Sequence, residues 1–222
     1  QSVSLSLEGA APSTQTQTQD QSAVAHHLPS YERPRIGLAI TPEDAEPTLS
    51  NAKHLIALRP AFLTCYMDGS TDQAALRAYA DLGKMTGLPM TLELVLPARA
   101  SADNEMAQAA QALQTAGLMP HTLVVTQAHD LKSWQPSAAR PQGPSFEDMA
   151  TAARHFFPGL EIGGGMLSFF TELNRKRPPR NLFDFVTHSF CPIVHDAGDA
   201  AVMETLEALP DIFATARSFI GD

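Results

Sequence analysis

Several side chains capable of acid–base chemistry interrupt or follow short apolar runs of this sequence. Glu93 lies in the middle of the run 90–96, between leucines. Burial would raise the pKa of such a carboxyl group, which suits a general acid or base, although a structural carboxylate paired with a neighbouring strand is the alternative. Asp68 directly follows the run 62–67, which contains Tyr66, and both are candidate substrate ligands. The alternative is that Asp68-Gly69 simply forms a turn.

The segment 163–179 is the richest candidate for ligand binding. It opens with three glycines, of which Gly164 is the central one, and continues to Glu172, Asn174 and Arg175. Glycines let a backbone approach a ligand closely, and an acid, an amide and a guanidinium are the groups that sugar recognition requires. We interpret the segment as a polar binding loop. A glycine-rich turn with a short capped helix is the alternative.

A fourth candidate lies in the segment 188–196. The spacing of His188, Cys191 and His195 could chelate a metal ion, but Cys191 precedes Pro192 and no second ligand pair has matching spacing. We therefore expect no metal and no cofactor. His188 or His195 would instead contact a substrate or carry a proton, unless each is a structural histidine bonded to the backbone.

The elements that position these residues alternate regularly from residue 35 onward. Apolar runs predict strands, and the stretches between them predict helices, so the chain reads as an α/β protein with a parallel sheet. The predicted strands are 36–40, 62–67, 90–96, 122–126, 161–165 and 183–190; the predicted helices are 43–58, 72–86, 103–117, 146–156 and 200–219. Asp72, Ser101 and Ser145 are start signals for the second, third and fourth helices, and Pro210 is expected to kink or split the last one.

Side-chain alternation along the strands chooses between two architectures. Leu92, Leu94 and Leu96 share one face of their strand, and Glu93 lies on the other, mixed face. An open sheet covered by helices on both sides would be apolar on both faces, whereas a barrel is apolar outside and polar towards its catalytic end. We therefore predict a (β/α)8 TIM-type barrel, truncated to about six βα units, with strands seven and eight outside this sequence.

Three regions are expected along the chain. Residues 1–10 alternate like a remnant strand of an upstream β domain, residues 11–33 are rich in polar residues like a flexible linker, and residues 34–222 form the partial barrel. The net charge of -9 argues against nucleic acid, and no apolar run is long enough for a membrane helix. Two distant cysteines exclude a disulfide scaffold and fit a reducing, cytoplasmic location.

The segment 163–178, followed by residues 184–187, Pro192, His195 and 204–206, resembles the TIM-barrel domain of D-apionate lactonase-like proteins. These are similar to barrel glycoside hydrolases. The resemblance implies a hydrolase that opens a sugar-acid lactone such as D-apionolactone to the free acid, with a small-molecule substrate. It leaves the oligomeric state open.

The resemblance also implies roles for the candidate residues. Glu172 or Glu93 would activate water, while Asn174, His188 and His195 would bind hydroxyls or stabilise the oxyanion. Arg175 would hold the product carboxylate or orient Glu172. Two alternatives remain: a barrel-type glycoside hydrolase, which needs a pair of carboxylates, and a non-catalytic carbohydrate-binding barrel.

Overall fold

A single parallel sheet organises the chain in the computed structural model, which describes residues 34–135, 137–194 and 196–221. Its six strands are paired in sequential order from β1 to β6. The strands are β1 Leu38–Ile40, β2 Leu63–Met67, β3 Met90–Leu96, β4 Thr122–Gln127, β5 Glu161–Phe169 and β6 Phe185–Ser189. A doubly wound sheet reverses its strand order at a switch point, so the unbroken order here is that of a barrel wall.

Helices separate the strands as the alternation predicted. They are α1 Pro42–Ser50, α2 Ala52–Leu58, α3 Gln73–Thr86, α4 Ala102–Ala116, α5 Phe146–Phe156, α6 Phe170–Arg175, α7 Asp199–Leu206 and α8 Leu209–Ile220. Side-chain caps begin the three longer internal helices: Asp72 caps α3, Ser101 caps α4, and Ser145 forms a capping box with Asp148 at α5. The predicted starts of these helices are thereby confirmed.

Two predictions about secondary structure were wrong, and one was confirmed. The predicted helix 43–58 is divided at Asn51, whose side-chain amide donates to the Pro47 carbonyl in place of the next helical N–H. The expected division of the helix 200–219 near Pro210 is confirmed, because Pro210 occupies the first turn of α8, where its missing N–H costs nothing. The interpretation of 166–175 as a loop is also wrong, because β5 continues to Phe169 and α6 follows directly.

The two faces of the sheet differ as the alternation predicted. Leu63, Leu92 and Leu123 are completely buried in one apolar cluster with the helices. The opposite face carries Thr91 and Thr122, whose hydroxyls are hydrogen-bonded at 2.6 Å across β3 and β4. The remaining members of the buried cluster include Cys65, Met67, Leu76, Tyr79, Leu82, Leu94, Leu96, Met106 and Met149. The core therefore lies between the sheet and its helices.

The three glycines of β5 are required by β6. A Cβ on Gly163 or Gly164 would lie 2.3 Å from the ring of Phe185 or Phe183, respectively. At Gly165 the constraint is stronger, because its φ is +123° and a Cβ would lie 2.1 Å from the carbonyl oxygen of Thr187. The space that these glycines leave is thus filled by the backbone of β6 and by the rings of Phe183 and Phe185.

We expect Gly165→Ala to destabilise the fold by about 3 kcal/mol or more, since it combines a strained φ with overpacking against backbone. Gly159→Ala is the matched control, because its φ is +83° but a Cβ there meets no atom within 4 Å. Urea denaturation of both variants measures the difference. Equal losses of stability would contradict this account of β5.

Candidate active site

Glu93 occupies the middle of β3 on the sheet face opposite the helices. It is paired in register with Tyr66 on β2 and Val124 on β4. The carboxyl group is partly buried, and among the described residues no donor lies within hydrogen-bonding distance of it. Burial raises its pKa above the ordinary value. Glu93 is therefore a carboxylate whose oxygens are not used by the fold.

Tyr66 and Asp68 lie beside Glu93 at the carboxyl end of β2. The Tyr66 hydroxyl donates to Asp68 at 3.2 Å, and Asp68 also accepts from the backbone N–H and hydroxyl of Ser70 at 2.8 and 2.7 Å. Burial opposes ionisation of Asp68, but these hydrogen bonds and one from Thr71 prevail and lower its pKa. Burial, the charge of Asp68 and a hydrogen bond to it raise the pKa of Tyr66 to about 12, so Tyr66 remains a neutral donor.

A cavity of about 620 Å³ opens where β2, β3 and β4 end. Asp68 and Ser70 line it from β2, Val95 and Arg99 from β3, and Leu131 from the segment after β4. Val95 lies two residues beyond Glu93 and therefore shares its face of the sheet. The cavity lies at the carboxyl edge of the strands, where barrel enzymes bind their substrates.

Glu105 holds the loop that carries Arg99. Its buried carboxylate accepts from the backbone N–H groups of Ala98, Arg99 and Ala100 at 2.9, 2.7 and 2.9 Å. These bonds stabilise a backbone in which Ala98 has a φ of +59°. The guanidinium of Arg99 is exposed and forms no ion pair with any residue that the structure describes.

Glu172 lies in a different environment from Glu93. It is completely buried on α6, and both of its oxygens are used. One accepts from the Trp134 backbone N–H at 3.2 Å and from Arg175 at 2.5 Å, and the other accepts from Arg140. A base needs a free oxygen to reach a water molecule. The geometry therefore fits the prediction that Arg175 orients Glu172, and it does not offer Glu172 to a substrate.

The other predicted site residues are spread over the molecule. Asn174 accepts from Arg177 at the end of α6, and Gly164 is covered by the Phe183 ring. The His188 ring packs between Phe170 and Phe213, with ring centroids 5.4 and 6.2 Å away. Asn174, Gly164 and His188 form no hydrogen bond with Glu93 in the described part of the chain. His195 lies outside the described residues.

Sequence reasoning missed Arg99, Glu105, Asp130 and Arg140. A general signal existed for Arg99, because it follows the strand that carries Glu93 by three residues, where barrel site residues lie. For the others no local signal existed, since their partners are recognisable only after folding.

Comparison with known proteins shows the family to which the sequence belongs. The family model described as "D-apionate lactonase, TIM barrel domain" matches residues 36–222. The chain belongs to this D-apionate lactonase TIM-barrel family. The barrel class predicted from strand alternation is thereby confirmed.

Two individual proteins add to this comparison. The chain is 41% identical over 195 residues to a D-apionate lactonase of Brucella anthropi, which covers 87% of this chain and 32% of that protein. The chain thus spans about a third of the length of the curated relative it matches. A crystal structure of a conserved Enterococcus faecalis protein of unknown function aligns with a TM-score of 0.41 at 14% identity, covering 79% of this chain and 45% of that one.

No helix of the described residues is both long and apolar enough to cross a membrane.

Cys65 and Cys191 are both free thiols, and burial raises the pKa of Cys65 to about 12, with the charge of Glu93 adding to the effect. Cys65 is therefore unsuited to act as a nucleophile.

The raised pKa of Glu93 predicts a specific dependence of stability on pH. The folded state disfavours the ionised form of Glu93, so the pKa of this residue is higher in the folded than in the unfolded protein. The contribution of protonated Glu93 to the free energy of unfolding is complete below its pKa in the unfolded protein. It is lost as the pH rises through its pKa in the folded protein. Glu93→Gln removes this loss. We expect its Tm relative to the parent protein to be higher at pH 7 than at pH 4.

Glu161→Gln is the control, because Glu161 is exposed and is the first residue of β5, at the amino-terminal edge of the sheet. Thermal unfolding at the two pH values measures both variants. A Tm difference for Glu93→Gln that does not change with pH would show that Glu93 titrates normally.

Proposed function

We propose that this chain carries the water-activating site of a lactone hydrolase, with Glu93 as the general base. The observation that carries the proposal is the contrast between two glutamates. Glu172 is completely buried and both of its oxygens are used by donors, whereas Glu93 is partly buried and accepts no hydrogen bond from the described residues. Val95, which shares the sheet face of Glu93, lines the cavity. The similarity to a protein named D-apionate lactonase supports a sugar-acid lactone such as D-apionolactone as substrate.

The proposed reaction is a general-base hydrolysis. Ionised Glu93 takes a proton from water as the water oxygen attacks the lactone carbonyl carbon, giving a tetrahedral intermediate. The bond from this carbon to the ring oxygen then breaks, and the ring oxygen leaves as a hydroxyl by taking the proton that Glu93 had received from water, which returns Glu93 to its ionised form. The product is a hydroxy acid, which ionises to a carboxylate. The raised pKa makes Glu93 a stronger base than an ordinary glutamate once it is ionised.

Arg99 has the chemistry to bind that carboxylate. It lines the same cavity, and no acid among the described residues neutralises it. A guanidinium binds a carboxylate through paired, charge-assisted hydrogen bonds. The proposal therefore gives Arg99 the product-binding role that the resemblance implied as one possibility for Arg175. The guanidinium of Arg175 is held by Glu172 and the Trp134 carbonyl.

Glu93→Gln should lower kcat for lactone opening by about 10²- to 10⁴-fold, the usual contribution of a general base. The parent enzyme should show an acidic limb in its kcat/KM profile above pH 4.5, because the pKa of Glu93 is raised and the base must be ionised. A pH-stat assay of the full-length protein with D-apionolactone and other aldonolactones measures both quantities. Glu161→Gln should leave both unchanged.

The same preparation separates the competing functions. Cleavage of aryl glycosides without opening of any aldonolactone would replace the proposal with the glycoside hydrolase alternative. Binding of the lactone without turnover would favour a carbohydrate-binding barrel.

Arg99→Gln should weaken inhibition by the open-chain acid about tenfold or more, the effect of losing a charge-assisted contact. Lys53→Gln is the charge-matched control, since Lys53 is exposed on α2 and does not line the cavity. Initial rates at increasing product concentration give the inhibition constants. Equal constants for Arg99→Gln and the parent protein would remove Arg99 from the site.

A further inference from the structure

Two buried carboxylates have no part in the proposed reaction. Asp130 and Glu172 are 1% and 0% exposed. Three cations surround them: Arg140 contacts both carboxylates, Arg175 contacts Glu172, and Lys176 contacts Asp130 at 2.7 Å. We call these five residues the charge latch. Burying two charges is costly unless each is paired, so this cluster stabilises only one arrangement of the segments that supply it.

The charge latch joins two separate parts of the chain. Asp130 and Arg140 belong to the segment between β4 and α5, whereas Glu172, Arg175 and Lys176 belong to α6 and the residue after it. The backbone of the first segment is held as well. Trp134 donates its N–H to Glu172 at 3.2 Å and accepts at its carbonyl from Arg175 at 3.0 Å.

The joined segment forms a wall of the candidate substrate cavity. Ala128 and Leu131, on either side of Asp130 in the sequence, line the cavity of about 620 Å³ near Asp68 and Arg99. Gln127 also donates to Asp130, at 3.0 Å, so the carboxylate is connected to the end of β4. The position of this wall therefore depends on the contacts of Asp130.

We propose that the charge latch is a positioning device, in which Glu172 and Arg140 fix the segment after β4 against α6 and so set the width of the substrate cavity. These residues act through Ala128 and Leu131 and do not touch the substrate. The inference rests on the proposed function only for its kinetic consequence. Its structural content, a segment held in place by Arg140, is independent of the reaction.

Arg140→Gln tests the latch with the least damage to the core. Asp130 keeps Lys176 and Glu172 keeps Arg175, so neither carboxylate becomes an unpaired buried charge. Trp134 is the single tryptophan of these 222 residues, so in a protein of this sequence its fluorescence reports on this segment. We expect stronger quenching by acrylamide in Arg140→Gln than in the parent protein. We also expect kcat/KM for the lactone to fall about 10- to 100-fold, mainly through KM, since misplaced binding walls cost this much.

Arg140→Lys and Arg77→Gln complete the experiment. Lysine keeps the charge and should recover part of the protection of Trp134, and Arg77 is exposed on α3 and should have no effect. If Arg140→Gln proves unstable, Arg175→Gln removes the contact with the Trp134 carbonyl from an exposed position and should also increase quenching.

Unchanged quenching in a folded Arg140→Gln would overturn the latch. Increased quenching with an unchanged KM would overturn its effect on the cavity. If the parent protein opened no lactone, the proposed function would fail, while the quenching comparison would still decide whether Arg140 holds the segment.

Discussion

Burial of one face of a parallel sheet under its helices is the constraint on which the site depends. Leu92 and Leu94 are buried against the helical layer, and this forces Glu93 between them onto the opposite face. A one-residue shift of β3 would place the carboxylate in the apolar core, at a large cost in free energy. The packing that stabilises the fold thus also delivers the candidate base to the inner side of the sheet.

The two glutamates show how environment divides roles between identical side chains. Glu172 is surrounded by two guanidinium groups and a backbone N–H, which compensate the cost of its burial. Glu93 has no such partners among the described residues, and its burial raises its pKa. The structural carboxylate and the candidate base therefore differ in their hydrogen bonds and not only in how deeply they are buried.

Local patterns in the sequence were sufficient for most of the fold. Side-chain alternation predicted the sheet face of Glu93, because a period of two can be recognised from only a few residues. Ser145 predicted the start of α5, because a cap acts within one helical turn. The extension of β5 to Phe169 was missed because it depends on pairing with Ser189 across a register shift. The charge latch was missed because Asp130 and Lys176 are 46 residues apart, and no local pattern encodes such a pair.

The hydrogen bonds from the loop after β3 to Glu105 affect how the ligand specificity of this barrel can change. The carboxylate binds three consecutive main-chain N–H groups, so the path of the loop is independent of the side chains that it displays. Position 99 can therefore exchange its side chain while the backbone stays in place. Such a loop separates the evolution of ligand choice from the evolution of stability, and relatives with different substrates are expected to differ first at this position.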